Sequence, residues 1–249
     1  MELPIQPTWE SDCGTVKLWL GDCLKIMPSW PADAVDVVVV DPPFGVDGAI
    51  LNPNSKGRRD RHNTWFQKPD WDKEINPEWC RACSRWPTCW FGNWRRRLEV
   101  ESAFETPIRC EIIWAKDTHV GPPCPAAMQD ERMWWFSASG LKTTRFETTI
   151  WNEPIIPTWA HRRHRNEKPE GLMIRAVSWV EGKSVADPFM GSGTTGVAAV
   201  RLGRSFWGIE LDPDHFETAK RRIQDELRKV AFLEPKTVIV QPGLFGPDA

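Results

Sequence analysis

The sequence predicts a three-layer α/β fold with a mostly parallel central sheet. Three observations predict it. Continuous β-branched runs such as "VDVVVV" at 35–40 read as strands buried on both faces. Strands of this kind alternate with helical stretches, most cleanly over 169–230. One strand, "SVADP" at 184–188, opens into a glycine loop that leads directly into a helix.

Each element follows in chain order. "VKLWL" (16–20) reads as a short strand and "GDCLKIMPSW" (21–30) turns into a short helix, before the valine-rich strand 35–40. The polar stretch from Gly45 to about Lys73 reads as a long loop. "NPEWCRACSRW" (76–86) is helical, with Asn76 as cap and Pro77 in the first turn. "TCWF" (88–91) is a strand, followed by a basic helix from Trp94. "CEIIWAK" (110–116) and "RMWWFSA" (132–138) are strands on either side of the loop "GPPCPAAM" (121–128). Residues 139–168 read as irregular and basic. Then come helix 169–180, strand 184–188, helix 194–203, strand 205–210 and helix 213–230. With no internal repeat and no strong linker, one domain is expected over 1–230, with a tail at 231–249.

Composition narrows the class. Hydrophobic residues at 41% and charged residues at 27% of 249 are ordinary for a globular chain. No run approaches the length of a membrane span, and "MELPIQPTWESD" lacks the pattern of a signal peptide, so the cytoplasm is expected. Seven scattered cysteines are read as free thiols. Cys80 and Cys83 form a lone C-x-x-C without a second pair or nearby histidines, so no metal is expected. A net charge of −2 does not announce a nucleic-acid binder, but "KGRRDRH" (56–62), "RRR" (95–97) and "HRRHR" (161–165) are candidate phosphate contacts as much as solvated surface. There are 16 tryptophans and no tyrosine, as if Trp and Phe stood where tyrosine is usual.

The glycine loop, "VADPFMGSGTTGVAA" (185–199), places Gly191, Gly193 and Gly196 in the spacing G-x-G-x-x-G, with Glu210 ending the next strand. Glycine there lets backbone approach a ligand closely. Asp187 selects the ligand: a carboxylate is unwelcome beside a pyrophosphate but suits a cation such as S-adenosylmethionine, which carries a sulfonium and an ammonium. No lysine follows the glycines, which excludes a P-loop. Glu210 can accept hydrogen bonds from ribose hydroxyls. Asp22, in "LGDC" (20–23), could accept from an adenine amino group or cap the following helix.

At 37–48, "VVVVDPPFGVDG" ends a core strand in an acid, two prolines and a ring. An exocyclic amine on a nucleobase is a poor nucleophile, because its lone pair is delocalised into the ring. Two acceptors, the Asp41 carboxylate and the Pro42 carbonyl, would hold its hydrogens and localise that pair. Pro42 and Pro43 fix φ and so preorganise the corner. Phe44 offers a face on which an extruded base can stack. The bland reading is a strand terminator with a capping Asp and a core Phe.

"DPPF" followed much later by "DPFMGSGTT" resembles the β group of DNA amino-methyltransferases, over segments 16–45, 130–137 and 164–224. The resemblance implies a Rossmann-like methyltransferase fold, S-adenosylmethionine as cofactor and double-stranded DNA as substrate. It implies a catalytic corner of Asp41, Pro42, Pro43 and Phe44. Asp187, Phe189, Gly191 and Gly193 would line the cofactor pocket, with Glu210 on the ribose and Asp22 near the adenine. "HRNEKP" (164–169) resembles the family's His-x-x-x-Lys-Pro segment and would bring Lys168 to the methionine carboxylate. The chain departs from the family pattern in having Phe44 for tyrosine and Arg165 for proline. An aspartate opening the tetrapeptide resembles adenine-N6 members more than cytosine-N4 members, so adenine N6 is the expected target.

The alternatives are a cytosine-N4 enzyme, an RNA amino-group methyltransferase, and, from another class, a catalytically silent DNA-binding module. Pro123–Cys124 has the letters of a cytosine-C5 nucleophile but lies in the wrong motif order. A dehydrogenase rests only on the glycine spacing. Target recognition is expected within 46–72 and 138–166, with Arg58, Arg59, Arg61, Arg162, Arg163 and Arg165 on phosphates and Trp65 or Phe66 as a wedge. "QPGLFG" (241–246) resembles the short peptides that dock into the bacterial sliding clamp, through Gln241–Phe245.

Overall fold

The computed structural model describes residues 3–43, 74–117, 129–140, 142–156 and 167–233. Nine strands are found there: β1 (Trp9–Glu10), β2 (Val16–Leu20), β3 (Val37–Val40), β4 (Thr88–Gly92), β5 (Ile108–Ala115), β6 (Asp130–Phe136), β7 (Ile150–Asn152), β8 (Ser184–Asp187) and β9 (Ser205–Glu210). The helices are α1 (Cys23–Ile26), α2 (Pro77–Cys83), α3 (Arg97–Ala103), α4 (Glu170–Trp179), α5 (Thr194–Arg201) and α6 (Pro213–Leu233).

All nine strands form one sheet in the order β1-β2-β9-β8-β3-β4-β6-β5-β7. Every pairing is parallel except β1 with β2 and β6 with its two neighbours β4 and β5. The mostly parallel sheet is therefore as the sequence predicts. A parallel strand covered on both faces reads as unbroken valine, and β3 shows why. Val37 and Val39 join the core beneath α4, α5 and α6, while Val38 and Val40 join the opposite core beneath α1, α2 and α3. All four are fully buried. The pleat alone sends alternate side chains to opposite layers, and each buried valine contributes roughly 2 kcal/mol.

The helix starts follow their caps. Asn76 accepts the Glu78 N–H at 3.0 Å and Pro77 occupies the first turn of α2, as its sequence requires. Asp22 does the same for Leu24 at the start of α1. The basic stretch from Trp94 begins as a short 3₁₀ turn, Trp94–Arg96, before α3. Tryptophans fill much of the core: Trp30 packs against Trp19, Trp86 and Trp207 at centroid separations of 5.3, 6.0 and 5.2 Å. The buried indole N–H groups of Trp30, Trp90, Trp135 and Trp179 have no hydrogen-bond partner among the described residues.

Two elements depart from the sequence reading. β1 is only two residues long, and β7 lies inside the segment expected to be irregular. β7 is held by pairing Ile113 with Ile150 and Trp114 with Trp151 on β5, and by burial of Trp151. Three residues are too few to show a period of two. The chain just before β7 is also tied down, through a bridge between Thr143 and Val180 and an Arg175–Glu147 ion pair of 2.8 Å. Among the described residues no helix is long and apolar enough to cross a membrane, and no cluster of His, Cys, Asp or Glu is arranged to hold a metal. Cys80 and Cys83 are buried thiols; burial pushes Cys80 up to about 12, so it packs as a small apolar group.

Candidate active site

Parallel strands present their carboxyl ends on one edge, and four of them carry acids there. Asp41 follows β3 directly, Asp187 ends β8, Glu210 ends β9, and Asp22 lies two residues beyond β2. From β8 the chain crosses through α5 to β9 on one side. From β3 it passes to β4 on the other side. The β8–β3 boundary is thus where the winding reverses, the crevice in which open α/β sheets bind ligands. Asp41 and Asp187 stand on its two lips.

Asp187 is 2% exposed and its oxygens are both engaged, accepting from the Phe189 N–H at 3.0 Å and from the Thr195 hydroxyl at 2.5 Å. Burial pushes its carboxyl up to about 7, against those two hydrogen bonds. Glu210 accepts from the Gly191 N–H and from the Asp212 N–H, each at 2.8 Å, and so clasps the glycine loop to the end of β9. Phe189 packs edge-to-face on Trp79 at 5.1 Å. Asp22 caps α1, accepting from the Leu24 N–H at 3.0 Å.

Gly191 and Gly193 have φ of 52° and 81°, a region that favours glycine. A Cβ on Gly193, however, would lie 2.8 Å from the Cβ of Ala219, and one on Gly196 would lie 2.5 Å from Ile223 Cδ1. The Cβ side of these two glycines is filled by α6, and at Gly196 by Phe206 as well.

Asp41 is held by Lys168, whose Nζ lies 2.7 Å from Oδ1. The same ammonium lies 3.2 Å from Glu131, and Glu131 is bound in turn by Lys116 at 2.6 Å. Lys168 also sits over the Phe91 ring, 5.5 Å from its centroid. Burial drives the Asp41 carboxyl upward, Lys168 draws it back down and Glu131 adds to the rise. Burial disfavours the charge on Lys168, but Asp41 and Glu131 together raise it above the ordinary lysine value. Burial likewise works against Glu131, whose two lysines more than offset it and lower its carboxyl. Lys168 is accordingly a firm cation between two carboxylates.

Glu131 and Lys116 were not legible as site residues in the sequence. Glu131 reaches this edge only because β6 runs against its neighbours and presents its amino end where they present their carboxyl ends. Lys168, expected near a cofactor carboxylate, is found on Asp41. Phe44, Trp65, Phe66, Arg58, Arg59, Arg61, Arg162, Arg163, Arg165, Pro123–Cys124 and Gln241–Phe245 lie outside the described residues. In the cluster 95–97, Arg96 pairs with Glu99 at 2.7 Å and Arg97 approaches Glu101 and Glu111 at 3.6 Å. Two of its three charges are thus spent on neighbouring acids.

The donor set suits S-adenosylmethionine. Acids at the ends of β2, β9, β8 and β3 favour a sulfonium and an ammonium and repel a pyrophosphate. Fold and edge together define a nucleoside-cofactor transferase with an acid-Pro-Pro corner.

Comparison with known proteins gives the same direction. A DNA methylase family model matches residues 116–221. The Type II methyltransferase M2.DpnII of Streptococcus pneumoniae is 27% identical, over 82% of this chain and 88% of its own. In fold, the chain is similar to M1.HpyAVI in a SAM complex, with TM-score 0.61, 21% identity and coverage of 83% and 99%. It is also similar to the PvuII DNA methyltransferase, titled cytosine-N4-specific, with TM-score 0.65, 14% identity and coverage of 92% and 96%. Residues 116–221 thus resemble a DNA methylase, and the chain as a whole is similar in sequence to DNA methyltransferases and shares their fold.

Proposed function

We propose that this enzyme transfers a methyl group from S-adenosylmethionine to the N6 amino group of an adenine extruded from double-stranded DNA. The observation that carries the reading is the pairing of Asp41 with Lys168 at the lip of the β8–β3 crevice, opposite the glycine loop. When bound, the cofactor supplies an electrophilic methyl. The chain's own groups do the rest. Asp41 and the Pro42 carbonyl accept the two amine hydrogens and turn the nitrogen lone pair outward. The Lys168 ammonium fixes the Asp41 carboxylate and favours its ionised form, so that it can take the proton the methylated amine sheds. Asp22 and Glu210 line the nucleoside side of the crevice, with Asp187, Phe189, Gly191 and Gly193 shaping its floor. Adenine is favoured by the aspartate that opens the tetrapeptide, and action at a defined DNA site by the Type II relative.

Catalysis is assigned to a domain over 1–230 acting in the cytoplasm, with segments 46–72 and 138–166 and their arginines facing the DNA. Residues 241–245 are assigned to a sliding clamp. Capture on clamp beads should vanish when Leu244→Ala and Phe245→Ala are combined, and undiminished capture would refute that assignment.

The central test is methyl transfer from radiolabelled S-adenosylmethionine to unmethylated genomic DNA, with nucleosides identified by mass spectrometry. N6-methyladenine from the wild type and none from Asp41→Ala is the expected result. N4-methylcytosine would overturn the base assignment, and no methylated nucleoside would overturn the function.

A further inference from the structure

Arg222 lies in the middle of α6, far along the chain from both sequence motifs, yet its side chain is only 8% exposed. Its Nη1 donates to the Ser192 carbonyl at 2.7 Å, to the Ser192 hydroxyl at 3.0 Å and to the Thr194 hydroxyl at 3.2 Å, all in the glycine loop. The same guanidinium pairs with Glu167 at 3.1 Å and with Glu170 at 3.0 Å. Glu167 directly precedes Lys168, and Glu170, two residues after it, begins α4. One planar cation therefore ties the loop between Gly191 and Gly193 to the segment that presents Lys168 to Asp41.

We propose that Arg222 is a positioning residue for the cofactor, holding the glycine loop and Lys168 in mutual register. The proposal rests on the S-adenosylmethionine reading above. A guanidinium suits the task because its rigid fork can serve acceptors on two sides at once, whereas an ammonium is a single point charge. Ala219 and Ile223, on the same helix, fill the space beside Gly193 and Gly196, so α6 braces the loop by packing as well as by hydrogen bonds. A loop shifted by a fraction of an ångström would meet the cofactor poorly, while the backbone of Asp41 and Pro42, anchored directly after β3, would stay in place.

The test is isothermal titration of S-adenosylmethionine into wild type, Arg222→Lys and Glu167→Gln, with kcat and both KM values for the same proteins. Arg222→Lys should weaken cofactor Kd and KM about tenfold or more, with kcat at saturating cofactor within about threefold and the KM for DNA unchanged. Glu167→Gln should move Kd in the same direction by a smaller factor. It decides the matter if Arg222→Lys does not fold. A lowered melting temperature with cofactor Kd unchanged would reduce Arg222 to a structural strut and overturn the proposal. So would a loss confined to kcat. Wild-type protein that fails to bind S-adenosylmethionine would instead overturn the functional reading itself, before any variant is made.

Discussion

Asp41 and Asp187 are carboxylates on adjacent strand ends with different electrostatic company. Asp41 has an ammonium at 2.7 Å; Asp187 has a hydroxyl and an amide, and burial takes its carboxyl up to about 7. The native protein therefore retains a proton on Asp187 that the unfolded chain has released, over the window from about pH 4 to about pH 7. Native binding of the extra proton means that stability falls as pH rises through that window. Asp187→Asn does not titrate, so wild type should lose on the order of 3 kcal/mol relative to this variant between pH 4.5 and 7.5. Urea unfolding at the two pH values measures it, and parallel behaviour of the two proteins would refute it. Asp41, Asp187 and Glu210 were legible because a strand end can be read from an apolar run and its breaker. Glu131 was not, because its place depends on the direction of β6, which no local pattern encodes.

The meeting of the glycine loop with α6 belongs to the scale of elements. Sequence spacing correctly marked a loop between strand and helix. Within it, Gly193 combines a left-handed φ of 81° with a Cβ direction blocked by Ala219 backbone and side chain. Gly193→Ala should cost about 3 kcal/mol, from left-handed strain together with overpacking. Thermal and urea unfolding would show it, and a cost under about 0.5 kcal/mol would mean the two helices separate easily. Long helices and buried strands were legible because their periods persist. β1 and β7 were not: two or three residues carry no period, and both owe their extended form to a neighbour already in the sheet.

Taken whole, the molecule joins residues that the chain keeps far apart. Asp41 and Lys168 are 127 positions apart and share a proton-sized contact. The motifs identified both lips of the crevice, yet the order of strands, and hence which lips face each other, emerges only from the closed sheet. The same closure explains the aromatic composition in part: Trp19, Trp30, Trp90, Trp134, Trp135 and Trp151 are all fully buried and span both layers. Among the described residues the buried indole N–H groups of Trp30, Trp90, Trp135 and Trp179 lack an acceptor, a recurrent polar cost carried in return for ring volume. With no tyrosine in the chain, indole alone dominates its near-ultraviolet absorption and emission. Much of the light taken up by this protein is thus reported from buried rings, and Trp79, edge-on to Phe189, is a lamp already standing beside the glycine loop.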